Sequence, residues 1–213
     1  IKNIFFKYIN KKIRILDIGS GNGLQVSQFI QIFNDTEIYC VDFSKKSLID
    51  LKQKYKSKKI KVIKLDMDKL HTYIKKNNLI DFFEVIHSSY ALYYAKDKNK
   101  IFNTIKKCIK PKGLLLVSAP SEPHEMVNFI NKIKPVERKI LDTLKFYKKK
   151  LLPFIKKNST KKIMLKKINY ISFKKVEEFL NFWKNTTYYN ASIESIVRKK
   201  LIKRKKLKFK KVI

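Results

Sequence analysis

Three of the four glycines in this chain of 213 residues fall within five positions, at Gly19, Gly21 and Gly23. Glycine adopts positive φ without strain and lets another group approach the backbone closely. The apolar run Ile13–Ile18 before the cluster predicts a buried strand, and the apolar spacing over Leu24–Phe33 predicts an amphipathic helix. A strand, a glycine-rich turn and a helix together predict a cradle for a nucleotide or a similar cofactor at the helix N-terminus.

Strand-like and helical patterns alternate along the next hundred residues. Further strand-like runs are Glu37–Val41, Ile60–Leu65, Phe82–His87 and Leu114–Ser118, and helical patterns are Lys45–Lys56, Lys69–Lys76 and Lys98–Ile109. Such alternation predicts an α/β fold, a doubly wound and mostly parallel sheet with helices on both faces. We expect seven strands in this sheet, with the last one, Lys206–Ile213, cut short.

The chain is predicted to contain three parts. Residues 1–121 form a cofactor-binding core, residues 122–165 form a lysine-rich helical cap for substrate recognition, and residues 166–213 return to the core and end in a basic tail. Within the last part we expect a strand over Ile168–Ser172, a helix over Phe173–Trp183 that is capped by Ser172, and a helix over Ser192–Ile202.

The positive charge is unevenly distributed. Residues 1–95 carry 17 basic and 9 acidic residues, whereas residues 96–213 carry 34 and 8. Nearly all the cations are lysines, although arginine is the better residue for bidentate recognition of phosphates and bases. We therefore interpret most lysines as solvated surface. A polyanion-binding surface, best placed over Arg198–Lys211, remains the alternative.

Composition excludes several classes of protein. Cys40 and Cys108 form neither a disulfide framework nor a metal cluster, and we expect both to fill the core in a reducing, cytoplasmic compartment. The sequence predicts no metal site, because no group of His, Cys and Asp has ligand spacing. It also predicts no membrane span, because no apolar run approaches the roughly 20 residues that a spanning helix needs. The oligomeric state is left open.

The glycine cluster departs from the dinucleotide fingerprint, which requires glycine at relative positions 1, 3 and 6, because Leu24 occupies the sixth position. Instead, Asp17, Gly19, Gly21 and Gly23 resemble the Asp/Glu-x-Gly-x-Gly-x-Gly signature of class I S-adenosylmethionine-dependent methyltransferases. The resemblance implies a Rossmann-like fold, S-adenosylmethionine as cofactor and S-adenosylhomocysteine as product. It extends to the end of the fifth predicted strand.

Acidic residues end the second and third predicted strands, at Asp42 and Asp66. The carboxyl ends of parallel strands meet at one sheet edge, where open α/β sheets bind ligands. Asp42 is expected to accept both ribose hydroxyls, whereas helix capping is the simpler alternative for both acids. In the resembled family, Asp66 accepts from the adenine amino group and the Met67 N–H donates. The predicted cofactor-binding set is Asp17, Gly19, Ser20, Gly21, Gly23, Asp42, Phe43, Asp66, Met67, His87 and Ser88.

The stretch from Phe82 to Tyr94 resembles the fourth motif of that family, which faces the methionine part of the cofactor and the substrate. It implies that His87 and Ser88 flank the sulfonium. The aromatic side chains that follow are the predicted substrate-binding residues: Tyr90, Tyr93 and Tyr94. No Asn-Pro-Pro-Tyr-like sequence is present, which argues against N-methylation of adenine or glutamine. The stretch Pro111–Gly113 resembles the family's Lys-Pro-Gly-Gly, with Lys112 in place of one glycine.

His124 and His87 are the candidate general bases, since a neutral imidazole can take a hydroxyl proton. For His124 a plain surface position is an equal alternative. Two stretches, Phe182–Tyr189 and His87–Tyr94, resemble small methyltransferases of bacterial capsule polysaccharide gene clusters. That similarity implies transfer to an oxygen of a small molecule or surface-glycan precursor, a sugar hydroxyl or a phosphate- or phosphoramidate-type oxygen. The alternatives are a tRNA or rRNA methyltransferase that uses the basic second half, and a non-catalytic cofactor-binding protein.

Overall fold

The computed structural model describes residues 11–57, 59–165, 167–204 and 206–212. The chain divides into two compact units, and the division falls between Ser118 and Ala119. The predicted parts 122–165 and 166–213 both lie in the second unit. Among the described helices, none is both long enough and apolar enough to cross a bilayer.

The first unit alternates five strands with four helices over its described residues. The strands are β1 (Lys12–Ile18), β2 (Asp35–Asp42), β3 (Ile60–Lys64), β4 (Phe83–Ser89) and β5 (Ile109–Ser118), and the helices are α1 (Leu24–Ile32), α2 (Lys45–Lys54), α3 (Leu70–Lys76) and α4 (Lys98–Cys108). Short 3-10 turns lie at Met67–Lys69 and Leu92–Tyr94. All strand pairs in this unit are parallel, in the order β3-β2-β1-β4-β5. The α/β alternation is therefore confirmed.

The central strands are apolar because helices cover the parallel sheet. Ile13 and Ile15 of β1 are fully buried and pack in one cluster with Val26 and Phe29 of α1. From β1 the chain adds β2 and β3 on one side of the sheet and then β4 and β5 on the other side. The topological switch point therefore lies between β1 and β4, and open α/β sheets bind ligands at such a point.

The second unit consists of a small antiparallel sheet and helices. Its elements are β6 (Ser121–His124), α5 (Glu125–Asn131), α6 (Arg138–Phe146), a π-helical turn (Tyr147–Leu151), α7 (Leu152–Asn158), β7 (Ile168–Phe173), α8 (Val176–Lys184), a 3-10 turn (Ala191–Ile193), α9 (Glu194–Ile202) and β8 (Leu207–Val212). Phe179, Trp183 and Phe209 are fully buried at its centre. The indole Nε1 of Trp183 donates to the Tyr188 carbonyl at 3.1 Å, which satisfies the one polar group of that side chain.

The expectation of one seven-stranded sheet was wrong for the described strands, which form two sheets. β8 pairs antiparallel with β6 and β7 and not with the five-stranded sheet. Its Phe209 is buried in the core of the second unit, so that pairing is stabilised by its own apolar cluster. The strand predicted over Lys206–Ile213 is present as β8, but Ile213 lies outside the described residues.

The helix predicted over Phe173–Trp183 begins later, because Phe173 is the last residue of β7 and pairs with Leu207. Its ring lies 5.3 Å from that of Phe179, centroid to centroid. Packing of this aromatic pair keeps Phe173 extended. Lys175, and not Ser172, occupies the N-cap position of α8.

Candidate functional site

All three clustered glycines adopt left-handed backbone, with φ of 74° at Gly19, 54° at Gly21 and 79° at Gly23. The N–H groups of Gly19 and Ser20 both donate to the Val41 carbonyl, at 2.8 and 3.1 Å. A Cβ added at Gly19 would lie 2.2 Å from the Cβ of Ala91, a distance that no side chain tolerates. The turn therefore needs glycine at position 19 for two reasons, conformation and space.

Asp42, at the end of β2, holds the glycine turn in place. Its Oδ2 accepts the Gly21 N–H at 2.9 Å, and its Oδ1 accepts the Ser44 N–H at 2.8 Å. Ser44 itself caps α2 by accepting from the Ser47 N–H. A carboxylate oxygen has two lone pairs, so each oxygen of Asp42 can accept one further hydrogen bond.

Asp66, at the end of β3, caps the 3-10 turn that follows, since its Oδ1 accepts the Asp68 N–H at 2.9 Å. The two carboxylate oxygens of Asp68 accept the Lys96 N–H at 2.9 and 3.2 Å. Asp68 therefore joins the turn after β3 to the segment before α4. This role of Asp68 was not predicted, because it depends on two segments that are distant in the chain.

A cavity of about 320 Å³ opens at this edge of the five-stranded sheet. It is lined by seven of the predicted site residues: Gly19, Asp42, Phe43, Asp66, Met67, Tyr90 and Tyr94. Five lining residues were missed: Val41, Leu65, Asp68, Ala91 and Lys96. Val41 and Leu65 end predicted strands and Ala91 lies in the fourth motif, so a signal for these three was present. Asp68 and Lys96 have no such local signal.

The cavity lining does not include three buried and predicted residues of β1 and β4: Asp17, His87 and Ser88. The Nδ1 of His87 lies 2.8 Å from Asp17 Oδ1, and the His87 ring packs edge-on against Phe29 at 5.2 Å. The Ser88 hydroxyl donates to the Ile18 carbonyl at 2.8 Å. These contacts join β4 to β1 directly before the glycine turn.

Four further predicted residues of the first unit do not line the cavity either: Ser20, Gly21, Gly23 and Tyr93. The Tyr93 ring lies 4.5 Å from that of Tyr94, and burial raises the pKa of the Tyr93 hydroxyl, as does the neighbouring Tyr94. Burial also raises the pKa of the Tyr90 hydroxyl. Tyr90 has a φ of 55°, a left-handed conformation that is rare for a bulky side chain and that brings this residue to the cavity wall.

Two buried side-chain atoms have no hydrogen-bond partner within the described part of the chain: Asp17 Oδ2 and Ser20 Oγ. Both belong to the segment that leads into the glycine turn. A buried acceptor without a donor costs about 1–3 kcal/mol, so an unpaired atom in a native structure indicates a missing partner. A ligand ammonium group, which has several N–H donors, matches these two acceptors.

His124 lies in the second unit, where it ends β6 and occupies the N-cap position of α5. Its Nδ1 accepts the Val127 N–H at 3.4 Å. Burial, together with the charge of Lys211, lowers the pKa of His124 to about 4. In the described residues no three His, Cys, Asp or Glu side chains are grouped so that they could hold a metal ion.

A parallel sheet with a glycine turn after its first strand and carboxylates after the next two is the arrangement in which open α/β proteins bind nucleoside-type cofactors, at the carboxyl edge of the sheet. A family model described as a methyltransferase domain matches residues 9–182. The chain therefore belongs to this methyltransferase family. Family and fold together support an S-adenosylmethionine-dependent methyltransferase of class I.

Individual relatives are distant. The chain is 28% identical over 125 residues to a demethylmenaquinone methyltransferase of Chlamydia caviae, a match that covers 57% of this chain and 52% of the relative. It thus spans about half the length of that protein. It is 23% identical over 192 residues to a malonyl-[acyl-carrier protein] O-methyltransferase of Bacillus anthracis, covering 87% of this chain and 69% of the relative. The solved YcgJ protein of Bacillus subtilis shares the fold, with a TM-score of 0.59, 15% identity and coverage of 99% and 94%.

Proposed function

We propose that this chain is an S-adenosylmethionine-dependent methyltransferase that methylates an oxygen of a small anionic acceptor. The observation that carries the proposal is the composition of the cavity in the first unit. Carboxylates that suit an adenosyl group, Asp42 and Asp66, share it with Lys96, the one cationic side chain among its described lining residues. A cavity with this lining has groups both for the cofactor and for a negatively charged acceptor.

The residues at the sheet edge fit each part of the cofactor. Asp42 has lone pairs for the ribose hydroxyls, and Asp66 and the Met67 N–H are available to adenine. The Phe43 ring, 74% exposed beside them, offers adenine a flat apolar surface. The unpaired acceptors Asp17 Oδ2 and Ser20 Oγ suit the ammonium of the amino-acid part. When bound, S-adenosylmethionine supplies a methyl group that its sulfonium makes electrophilic.

Neither candidate histidine suits the role of general base. His124 uses its Nδ1 lone pair to cap α5, and its lowered pKa makes it a weak proton acceptor. His87 is only 7% exposed and directs Nδ1 at Asp17, which favours a positioning role beneath the glycine turn. An acceptor oxygen that is already ionised at neutral pH needs no base, and a carboxylate or a phosphate-type oxygen meets this condition.

The acceptor is therefore a carboxylate or a phosphate-type oxygen, and a phosphorylated surface-glycan precursor is one such substrate. Lys96 would hold its charge, and Tyr90 and Tyr94 would form the wall of the cavity on the acceptor side. The work of these side chains is to orient the acceptor in line with the methyl group and to exclude water. The B. anthracis relative, whose name describes O-methylation of a malonyl compound, agrees with an oxygen acceptor.

Transfer of a labelled methyl group to a panel of acceptors tests the proposal. We expect transfer to phosphorylated sugars or carboxylates and none to the matched neutral alcohols. Lys96→Gln should raise the KM for the acceptor about tenfold, because a hydrogen bond to a charged group contributes about 1.5–3 kcal/mol. Lys100→Gln, an exposed lysine on α4 that does not line the cavity, is the matched control. Transfer to RNA alone would contradict the proposal.

Cofactor binding is tested separately by isothermal titration with S-adenosylmethionine. Asp42→Ala removes the predicted ribose contact and releases the Gly21 N–H, so we expect the Kd to rise at least about tenfold. Asp50→Ala, an exposed acid on α2, should leave the Kd unchanged. Unaltered affinity of the Asp42 variant would refute the cofactor site.

A further inference from the structure

A dense group of exposed apolar side chains lies at the start of β7 in the second unit. Five large residues within eight positions are about half exposed or more: Ile163 at 52%, Met164 at 57%, Leu165 at 64%, Ile168 at 46% and Tyr170 at 55%. Exposed apolar side chains concentrated in one short segment are typical of an interaction site, since apolar surface left in water costs about 25 cal/mol per Å². We call these five side chains the apolar edge.

The alternation within β7 shows that the exposure is not a by-product of core packing. Phe173 packs against the core cluster of the second unit, whereas Ile168 and Tyr170 occupy the alternate, exposed positions. The solvent face of an antiparallel sheet is ordinarily polar. Apolar residues at two of its positions in β7 are therefore available to a partner other than the core.

Lysines surround the apolar edge. Lys161 and Lys162 precede it, and on β8 the paired positions opposite Tyr170 and Ser172 are Lys210 and Lys208. The Nζ of Lys208 lies 4.2 Å from the centroid of the Tyr170 ring. Cations and apolar side chains thus share one face of this strand pair.

Lys208 also lines a cavity of about 640 Å³ at the other end of β7. Five cationic side chains line it: Lys174, Lys175, Arg204, Lys206 and Lys208. None of the five forms an ion pair with an acid in the part of the chain that the structure describes. Ile202, 67% exposed, is part of the same lining. We call this the basic cavity.

Three acids of the second unit are engaged with other groups. Glu178 accepts the backbone N–H of Lys174 at 2.8 Å, and Glu125 accepts that of Lys210 at 2.7 Å. Glu177 is paired with Arg198. Arg204 places its guanidinium over the rings of Phe129 and Phe209, at 5.2 and 4.7 Å. The basic cavity thus has an excess of positive charge that an external anion would neutralise.

We infer that the basic cavity and the apolar edge together form a docking surface for an anionic phospholipid bilayer. The cavity lysines contact headgroup phosphates, and the side chains of the apolar edge enter the boundary between headgroups and acyl chains. Clustered lysines and exposed aliphatic residues are the combination that binds such surfaces. An RNA chain could contact the cations, but Ile163, Met164 and Leu165 would stay unused, because aliphatic side chains offer bases neither a stacking surface nor a hydrogen bond.

Co-sedimentation of the whole chain with vesicles tests the inference. We expect binding to phosphatidylcholine vesicles that contain phosphatidylglycerol, weakened by salt, and no binding to phosphatidylcholine alone. The variant Ile163→Ser/Leu165→Ser changes two exposed side chains and avoids Met164, whose sulfur accepts from the Tyr147 hydroxyl. It should bind the anionic vesicles at least about tenfold more weakly, because two inserted apolar side chains are lost.

A charge variant, Lys174→Gln/Lys175→Gln/Lys206→Gln, should also bind the anionic vesicles at least about tenfold more weakly. Each basic residue near an anionic surface contributes about 1 kcal/mol. Its matched control is Lys52→Gln/Lys75→Gln/Lys106→Gln, three exposed lysines of the first unit, which should bind as the unaltered chain does. Equal losses in the variant and its control would overturn the inference, because they would reflect net charge alone. So would binding to poly(U) without binding to vesicles, or concentration-dependent self-association that the Ile163 and Leu165 changes abolish.

Discussion

His87 on β4 and Asp17 on β1 face each other across a register pair, with 2.8 Å between His87 Nδ1 and Asp17 Oδ1. Both side chains are less than a tenth exposed, and the second oxygen of Asp17 has no partner among the described residues. The imidazole is thus the one described side chain that hydrogen-bonds this buried carboxylate. The pair links the two strands that flank the switch point, directly before Gly19.

Removing the imidazole should destabilise the protein strongly. In His87→Leu the Asp17 carboxylate stays buried without a donor, a change that costs about 3–5 kcal/mol in comparable sites. We expect the double variant Asp17→Leu/His87→Leu to recover part of that loss, because both polar partners are then absent. Urea unfolding followed by circular dichroism measures both. If the loss of stability in the double variant equals the sum of the losses in His87→Leu and Asp17→Leu, the two groups do not interact.

Alanine at two glycines should separate backbone strain from lack of space. Gly21 has a φ of 54° and open space where a Cβ would lie, so Gly21→Ala should cost only the strain, about 1–2 kcal/mol. Gly19→Ala adds a contact of 2.2 Å with the Cβ of Ala91 and should cost clearly more. Thermal unfolding of the two variants gives the comparison. If both variants lose the same stability, the close approach of Ala91 to the turn is wrong.

The sequence predicted the elements β1–β5 and α1–α4 because their signals are local, although β5 begins at Ile109 and not at the predicted Leu114. Alternating apolar runs and helical periods arise from neighbouring residues, and a parallel sheet follows from their order. β6 escaped prediction because Ser121–His124 has no apolar alternation. It becomes a strand only through pairing with β8, which lies far along the chain. The division into two sheets depends on the same long-range pairing.

The site was predictable where a strand ends in an acid and not where two turns meet. Asp42 and Asp66 follow apolar runs, so their place at the sheet edge could be inferred. Asp68 and Lys96 line the cavity because the turn after β3 contacts the segment before α4. No local pattern encodes that contact. The depth at which His87 lies was equally invisible, because a histidine at a strand end can point to the cavity or to a neighbouring strand.

A glycine at position 112 should stabilise the chain. Lys112 has a φ of 62°, at the position where the resembled family has glycine. A non-glycine residue in left-handed backbone is strained by about 1–2 kcal/mol, and glycine's greater freedom in the unfolded chain offsets part of the gain. We expect Lys112→Gly to add about 0.5–1 kcal/mol to the free energy of unfolding. Asn78→Gly, at a φ of 51°, should gain less because asparagine tolerates this conformation. If the two variants gain the same stability, relief of backbone strain does not explain the gain.

His124 should make stability depend on pH below neutrality. Its pKa is about 4 in the folded chain against an ordinary 6.5, because the side chain is buried. As pH falls from about 6.5 to 4, the unfolded chain takes up a proton that the folded chain refuses, so stability is lost, by up to roughly 3 kcal/mol. His124→Asn keeps an N-cap acceptor for α5 and cannot titrate, so its urea midpoint should fall less over this range. In His71→Asn, which changes an exposed histidine, the urea midpoint should depend on pH as it does in the unaltered chain. If this variant also loses less stability at low pH, the pH dependence does not arise from His124.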